Sequence, residues 1–265
     1  MQTSPLNLAT YVGQDCDELS LERSTGFAPA RFGLIIPAGN RLIEPQFQTF
    51  TPPGVGVHVA RLQMNGKYAT PLPQLLEGIA QGARTLADAK LDLIAFHCTA
   101  TSMKFGPDGD ASIRETIARE TCIGSLSTGE AVVEALQALA IQRLVLVTPY
   151  GRAANDHERD YLDAFGIEVV HDVALAEHGD PGPSHLISPA KWVEIVRDNA
   201  RESADGYFLS CANTTQIDAI GALERALGKP VINSNQAVLW ASLKRLRKLV
   251  PPFAPVSSLG RLMSC

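Results

Sequence analysis

The chain has 265 residues, of which 45% are hydrophobic and 19% charged, and a formal charge of −5 at pH 7. That length holds one large domain or two of about 130 residues, and the acidic balance offers no basic patch to nucleic acid. No run of about 18 apolar residues occurs, so no membrane-spanning helix is expected, and five scattered cysteines fit a reducing cytoplasm better than a disulfide framework.

Residues 1–30 show no periodicity and read as an N-terminal arm. They lack the apolar segment of a secretory signal. Phe32-Gly33-Leu34-Ile35-Ile36-Pro37 is a continuous apolar run that ends in Ala38-Gly39-Asn40. Such runs are parallel strands buried on both faces. A second strand is expected over 55–60. Thr70 and Pro71 suit an N-cap and first helical position. Leu75, Leu76, Ile79, Ala83, Leu86 and Ala87 then follow at helical spacing over 71–89. A third apolar run, 91–96, leads into His97-Cys98-Thr99-Ala100-Thr101.

The second half repeats this order. A helix is expected over 129–140, then the strand Leu144-Val145-Leu146-Val147-Thr148, ending in Pro149-Tyr150-Gly151. A helix near 153–165, a short strand over 167–170 and a helix over 189–200 come next. Gly206-Tyr207-Phe208-Leu209-Ser210 then leads into Cys211-Ala212-Asn213-Thr214-Thr215. After it come a helix that Gly228 terminates, a strand at Val231-Ile232 and a final basic helix over 236–247.

Cys98 lies 58 residues beyond Asn40, and Cys211 lies 61 beyond Tyr150. The fold class expected is α/β, with two similar pseudo-symmetric lobes, each a mainly parallel sheet flanked by helices. Lobe one would cover 31–125 and lobe two 126–234, with about 235–265 packing back on lobe one. Sites in such folds lie beyond the carboxyl ends of the strands. Asn40, Cys98, Tyr150 and Cys211 would therefore meet in the interlobe cleft.

The matched thiols carry the chemistry. A turn into a helix N-terminus offers backbone N–H groups to an anion and lowers a thiol pKa. Two thiols facing one cleft can act on opposite sides of one carbon, which suits racemisation, isomerisation or decarboxylation of a small carboxylate. Cys16, Cys122 and Cys265 lack this setting and read as ordinary thiols. Strand alternation is expected to turn His97 away from the cleft. Arg41 and Arg152 follow strand ends and would attract a dicarboxylate, although surface charge accounts for them equally. Ser125, Ser127 and Thr128 would line the cleft or simply cap a helix. There is no CxxC, HExxH, GxGxxG or P-loop, so no metal or organic cofactor is expected.

The segments 33–40, Cys98-Thr99-Ala100-Thr101-Ser102, Thr148-Pro149-Tyr150 and Leu209-Ser210-Cys211, in that order, resemble the aspartate/glutamate racemase superfamily. The match is to its branch of maleate cis-trans isomerases and arylmalonate decarboxylases and covers roughly 31–248. The resemblance implies that Cys98 adds to a double bond as thiolate and Cys211 handles the proton. It also implies that Asn40 and Tyr150 hold carboxylate, with Thr99, Ala100, Thr101, Ala212 and Asn213 presenting donors. Decarboxylases of this branch keep only the second cysteine. Two thiols favour an isomerase or racemase over a decarboxylase, with maleate to fumarate as the expected reaction. The isomerases carry an Asn in the loop near 176–185, where this chain has Glu177-His178-Gly179-Asp180.

Amino-acid or hydantoin racemisation and arylmalonate-type decarboxylation remain as alternatives. So does a small-carboxylate binding protein, which would leave both thiols unexplained. No GxSxG elbow supports a serine hydrolase. A cytoplasmic homodimer or homotetramer acting on a small carboxylate or dicarboxylate is expected, with no nucleic-acid or membrane partner.

Overall fold

The computed structural model describes residues 28–64, 70–177, 182–249 and 256–265. Two four-stranded parallel sheets form its frame. The first holds β1 (Ala30–Pro37), β2 (Val55–Leu62), β3 (Leu93–Phe96) and β4 (Gly124–Ser127) in the order β2-β1-β3-β4. The second holds β5 (Arg143–Thr148), β6 (Glu168–Ala174), β7 (Gly206–Leu209) and β8 (Val231–Asn233) in the order β6-β5-β7-β8. The two orders are the same permutation, and Cys98 and Cys211 each follow the third strand of their own sheet. Residues 1–27 of the N-terminal arm expected over 1–30 lie outside the described residues, and Ala30 already belongs to β1.

Alternation within β1 explains the layering. Phe32, Leu34 and Ile36 face a core that continues into the second sheet through Val145, Val147 and Phe208. Ile35 faces the other way with Ile94 and Phe96. Two helices cover that side: α2 (Leu72–Ala87), through Leu75, Ile79, Ala83 and Leu86, and α4 (Gly106–Thr121), through Ile113 and Ile117. Pro71 rather than Thr70 takes the N-cap of α2. The remaining helices are α1 (Ile43–Phe50), α3 (Thr99–Lys104), α5 (Thr128–Ala138), α6 (Arg152–Asp163), α7 (Pro189–Asp198), α8 (Ile220–Leu227) and α9 (Ser234–Leu246). Gly228 ends α8 at φ +66°, the left-handed conformation that a C-terminal glycine supplies without strain.

Three elements depart from the sequence reading. Residues 124–127 form a fourth strand before the helix: Leu93 to Phe96 pair with Gly124 to Ser127, and pairing rather than intrinsic propensity makes Gly-Ser-Leu-Ser extended. The segment after Cys211 does not enter a helix directly. Asn213, Thr214 and Thr215 bond to nearby backbone and side chains, and the first regular turn waits until Gln216. Finally, the helix expected as basic over 236–247 is α9, whose bases Lys244 and Arg245 stand in its last turn while eleven of its thirteen residues are buried. It packs on α5, α1, β3 and β8, and so joins both sheets.

Candidate active site

The carboxyl ends of β1, β3, β5 and β7 open on one cavity of about 400 Å3. Asn40, Cys98, Thr99, Thr101, Tyr150, Cys211, Ala212 and Asn213 line it, with Pro37, Ala38, Gly39, Gln63 and Met64. Both thiols are unpaired and nearly closed off, with exposures of 9% for Cys98 and 7% for Cys211. Among the described residues no ionised side chain reaches this wall.

Cys98 is the N-cap of α3 in extended conformation, and its thiol meets the Thr101 hydroxyl at 3.1 Å. Burial nevertheless pushes the thiol up, against the pull of the Thr101 hydroxyl and N–H. Cys211 is pushed up by burial to about 12, although Tyr150 and the Asn213 N–H, 3.3 Å from Sγ, both hydrogen-bond to it. The expectation of thiol pKa values lowered by helix termini is therefore corrected. Desolvation outweighs a few donors when the wall holds no cation.

The Cys211 backbone is unusual, with φ at +118°. Three bonds hold the turn: its N–H donates to Ser234 Oγ (3.2 Å), its carbonyl accepts from Thr214 Oγ1 (3.2 Å), and its Sγ accepts from Asn213 N–H. Ser234 Oγ also accepts from Thr99 Oγ1 at 2.8 Å. One buried hydroxyl at the start of α9 thus ties the turn after β3 to the turn after β7.

The other expected residues take varied places. Asn40 Oδ1 accepts from the N–H groups of Leu42 and Ile43, both at 2.9 Å, while its Nδ2 donates to the Ala212 carbonyl at 3.1 Å. Asn213 Oδ1 accepts from the Arg41 N–H at 2.9 Å. Ala100 is not part of the cavity wall. It follows Thr99 around the first turn of α3 and packs on Tyr150 and Cys211 instead. Arg41 reaches His185 Nε2 at 3.2 Å. Arg152 is bound to Asp172 and Glu177. Neither arginine lines the cavity. Ser127 caps α5 through the Glu130 N–H and donates to Asp110. His97 is fully buried between Thr128 Oγ1 and Asn235 Oδ1, each at 2.9 Å, and burial lowers it to about 4. Residues 178–180 of the Glu177-His178-Gly179-Asp180 segment, and Cys16, lie outside the described residues.

Sequence reasoning missed Ser234, Gln63 and Met64. Ser234 was discoverable: Asn233-Ser234-Asn235-Gln236 is a polar run at the carboxyl end of a buried strand, the place where such folds build sites. Gln63 and Met64 follow β2 and carry no comparable signal. Among the described residues, no group of three or more His, Cys, Asp or Glu is placed to hold a metal ion, and no helix is long and apolar enough to cross a membrane.

The model of the arylmalonate decarboxylase family matches residues 32–260. The chain belongs to this family. Maleate isomerase of Nocardia farcinica is 28% identical to this family member over 247 residues, covering 88% of the chain and 95% of the relative. Maleate isomerase of Geobacillus stearothermophilus is 25% identical over 235 residues, covering 82% and 91%. Among solved structures, a cysteine-to-serine mutant of Nocardia farcinica maleate cis-trans isomerase, with a covalently bound succinylcysteine intermediate, superposes with a TM-score of 0.76. It is 25% identical and covers 88% of this chain and 98% of that one. The fold is thus the two-sheet α/β fold of arylmalonate decarboxylases and maleate isomerases.

Proposed function

We propose that the protein is a cofactor-independent isomerase that converts maleate to fumarate with two cysteines. The observation that carries this reading is that Cys98 and Cys211, from equivalent turns of two equivalent sheets, line one cavity. Maleate isomerases among the relatives, and the succinylcysteine seen in one of them, support the choice of reaction.

The steps balance as follows. The Cys98 thiolate adds to one alkene carbon and forms a C–S bond, while the Cys211 thiol gives its proton to the neighbouring carbon. The product is a succinyl thioether on Cys98 and a thiolate on Cys211. Rotation about the former double bond brings the two carboxylates anti. Cys211 then takes a proton back from the same carbon, the C–S bond breaks, and fumarate leaves with the Cys98 thiolate restored. An amide nitrogen carries two hydrogens. Asn40 commits one to Ala212 and would give the other to a substrate carboxylate. The Tyr150 hydroxyl stands at the Cys211 thiol, where it stabilises the thiolate formed in the first step. Preorganised neutral donors can each contribute several kcal/mol to such charge stabilisation.

Incubation with maleate and detection of fumarate by NMR tests the reading, and no fumarate from the folded protein would reject it. Cys98→Ser should lower turnover by a factor on the order of a thousand or more, because serine supplies no anion without a strong base. Cys211→Ser should accumulate an adduct that intact mass shows as one added succinyl group. The alternative is decarboxylation of an arylmalonate, favoured by the family model. It needs Cys211 alone, so Cys98→Ser would remain active on that substrate.

A further inference from the structure

The turn that follows β1 supplies Pro37, Ala38, Gly39 and Asn40 to the cavity wall. Its backbone N–H groups can be accounted for one by one. Pro37 has none to give. Ala38 donates to the Leu62 carbonyl at 2.8 Å, Asn40 to the Pro37 carbonyl at 3.0 Å, and Arg41 to Asn213 Oδ1 at 2.9 Å. The Gly39 N–H has no acceptor among the described residues. A Cβ built at Gly39 would meet no atom within 4 Å, so open space lies beside it.

Arg61, near the end of β2, holds the same turn without joining the cavity wall. One guanidinium nitrogen, Nη1, donates to the Ala38 carbonyl at 2.8 Å and to the Asn40 carbonyl at 2.9 Å. Nη2 pairs with Glu44 in the first turn of α1. In a trans peptide the N–H points opposite to the C=O. The Ala38–Gly39 and Asn40–Arg41 peptides both turn their carbonyls to Arg61, so both N–H groups point away from it. The Arg41 N–H shows where that direction leads, since it ends on Asn213, which lines the cavity from the second sheet. The Gly39 N–H has the same sense and starts from the wall itself. Such a donor answers a need of the site. A carboxylate in a cavity without cations is stable only where it is hydrogen-bonded, and bonds to a charged acceptor are roughly twice as strong as neutral ones.

We propose that the Gly39 N–H is a binding donor for a substrate carboxylate, and that Arg61 is the positioning residue that aims it by holding the Ala38 and Asn40 carbonyls. The role rests on the carboxylate substrate of the reading above and deepens that reading. Arg61 touches no substrate and moves no proton. Glu44 balances its charge, so it acts through its two bonds to the turn.

The test reads the Gly39 amide directly. The full chain, labelled with 15N-glycine, is titrated with two carboxylates that it does not turn over. Succinate has no double bond for a thiolate to attack, and phenylacetate is what decarboxylation of phenylmalonate would leave. Gly39→Ala identifies the Gly39 peak by deleting it. In wild type the Gly39 amide proton should move downfield as at least one of the two saturates the site. Arg61→Met should need about tenfold more ligand, the worth of one hydrogen bond to a charged group, and should shrink the Gly39 movement at saturation. Arg61→Lys keeps a donor and the Glu44 pair, and should recover part of both. On maleate, Arg61→Met should raise KM about tenfold with kcat little changed, since the bond is made before and during the reaction alike. A Gly39 peak that stays in place with both ligands would overturn the proposal. So would a movement at saturation that Arg61→Met leaves intact, which marks a purely structural contact, or a fall in kcat at constant KM. If Arg61→Met fails to fold, the wild-type peak and Arg61→Lys decide in the same way. Neither titration depends on turnover, so absence of fumarate rejects the isomerase reading without touching the Gly39 result.

Discussion

A non-glycine residue at φ +118° stores backbone strain on the order of 1–3 kcal/mol, and Cys211 stands there. The strain persists because Ser234, Thr214 and Asn213 hold the turn from three sides. Cys211→Gly should therefore unfold at a higher temperature than Cys211→Ala, by about 1 kcal/mol of stability, with both variants inactive as isomerases. Thermal unfolding of the pair measures this, and equal midpoints would show that the backbone is unstrained. The placement of both thiols was readable from the chain, because apolar runs that stop at Cys98 and Cys211 mark strand ends. Their protonation was not readable. It depends on how completely the two sheets close over them, and residue type does not encode that.

At the scale of elements, the polar start of α9 connects the two halves of the site. Ser234→Ala would leave the Cys211 N–H buried without an acceptor and free the Thr99 hydroxyl. The expected cost is about 1–3 kcal/mol of stability. Turnover should fall roughly ten- to a hundredfold, with KM little changed, since the thiols lose register while the wall that binds substrate stays intact. Steady-state kinetics on maleate separates the two effects, and a rise in KM at constant kcat would place Ser234 in binding instead. Most strands and helices were evident from periodicity, as with Leu75, Ile79, Ala83 and Leu86 on α2. β4 and the burial of α9 were not. Gly124–Ser127 has little strand preference of its own, and Ser234, Asn235 and Gln236 at the start of α9 are buried because side chains and backbone groups of other segments satisfy them.

For the whole molecule, a seam of buried polar side chains runs between the sheets. His97 meets Thr128 and Asn235, Asn235 reaches Gln46 and the Ala212 carbonyl, and Gln46 donates to the Thr214 carbonyl at 2.8 Å. Folding holds the His97 ring neutral, lowered from 6.5 to about 4. Between those values the unfolded chain binds a proton that the folded one does not, so stability rises with pH. The contribution is complete above pH 6.5 and is lost as pH falls toward 4, to a total of roughly 3 kcal/mol. Unfolding near pH 5 and pH 7 should show a smaller acid loss in His97→Gln than in wild type, and equal losses would refute the assignment. The repeat of one strand order was readable from the matched spacing of Asn40 to Cys98 and Tyr150 to Cys211. The seam was not, because it joins residues as far apart in the chain as Gln46 and Asn235.

The neutral wall of the cavity also determines how a substrate arrives. Enzymes that draw anions with lysine or arginine lose association rate as ionic strength rises. Here the described wall carries no such charge, and the chain as a whole is negative by five. A dianion then approaches against a weak repulsive field and is recognised only on contact. Added salt should leave kcat/KM unchanged or raise it slightly, the reverse of a steered encounter. A steep fall with salt would reveal a cation at the mouth. At such a site the frequency of collision, and hence the concentration of the dicarboxylate, stands in for long-range attraction.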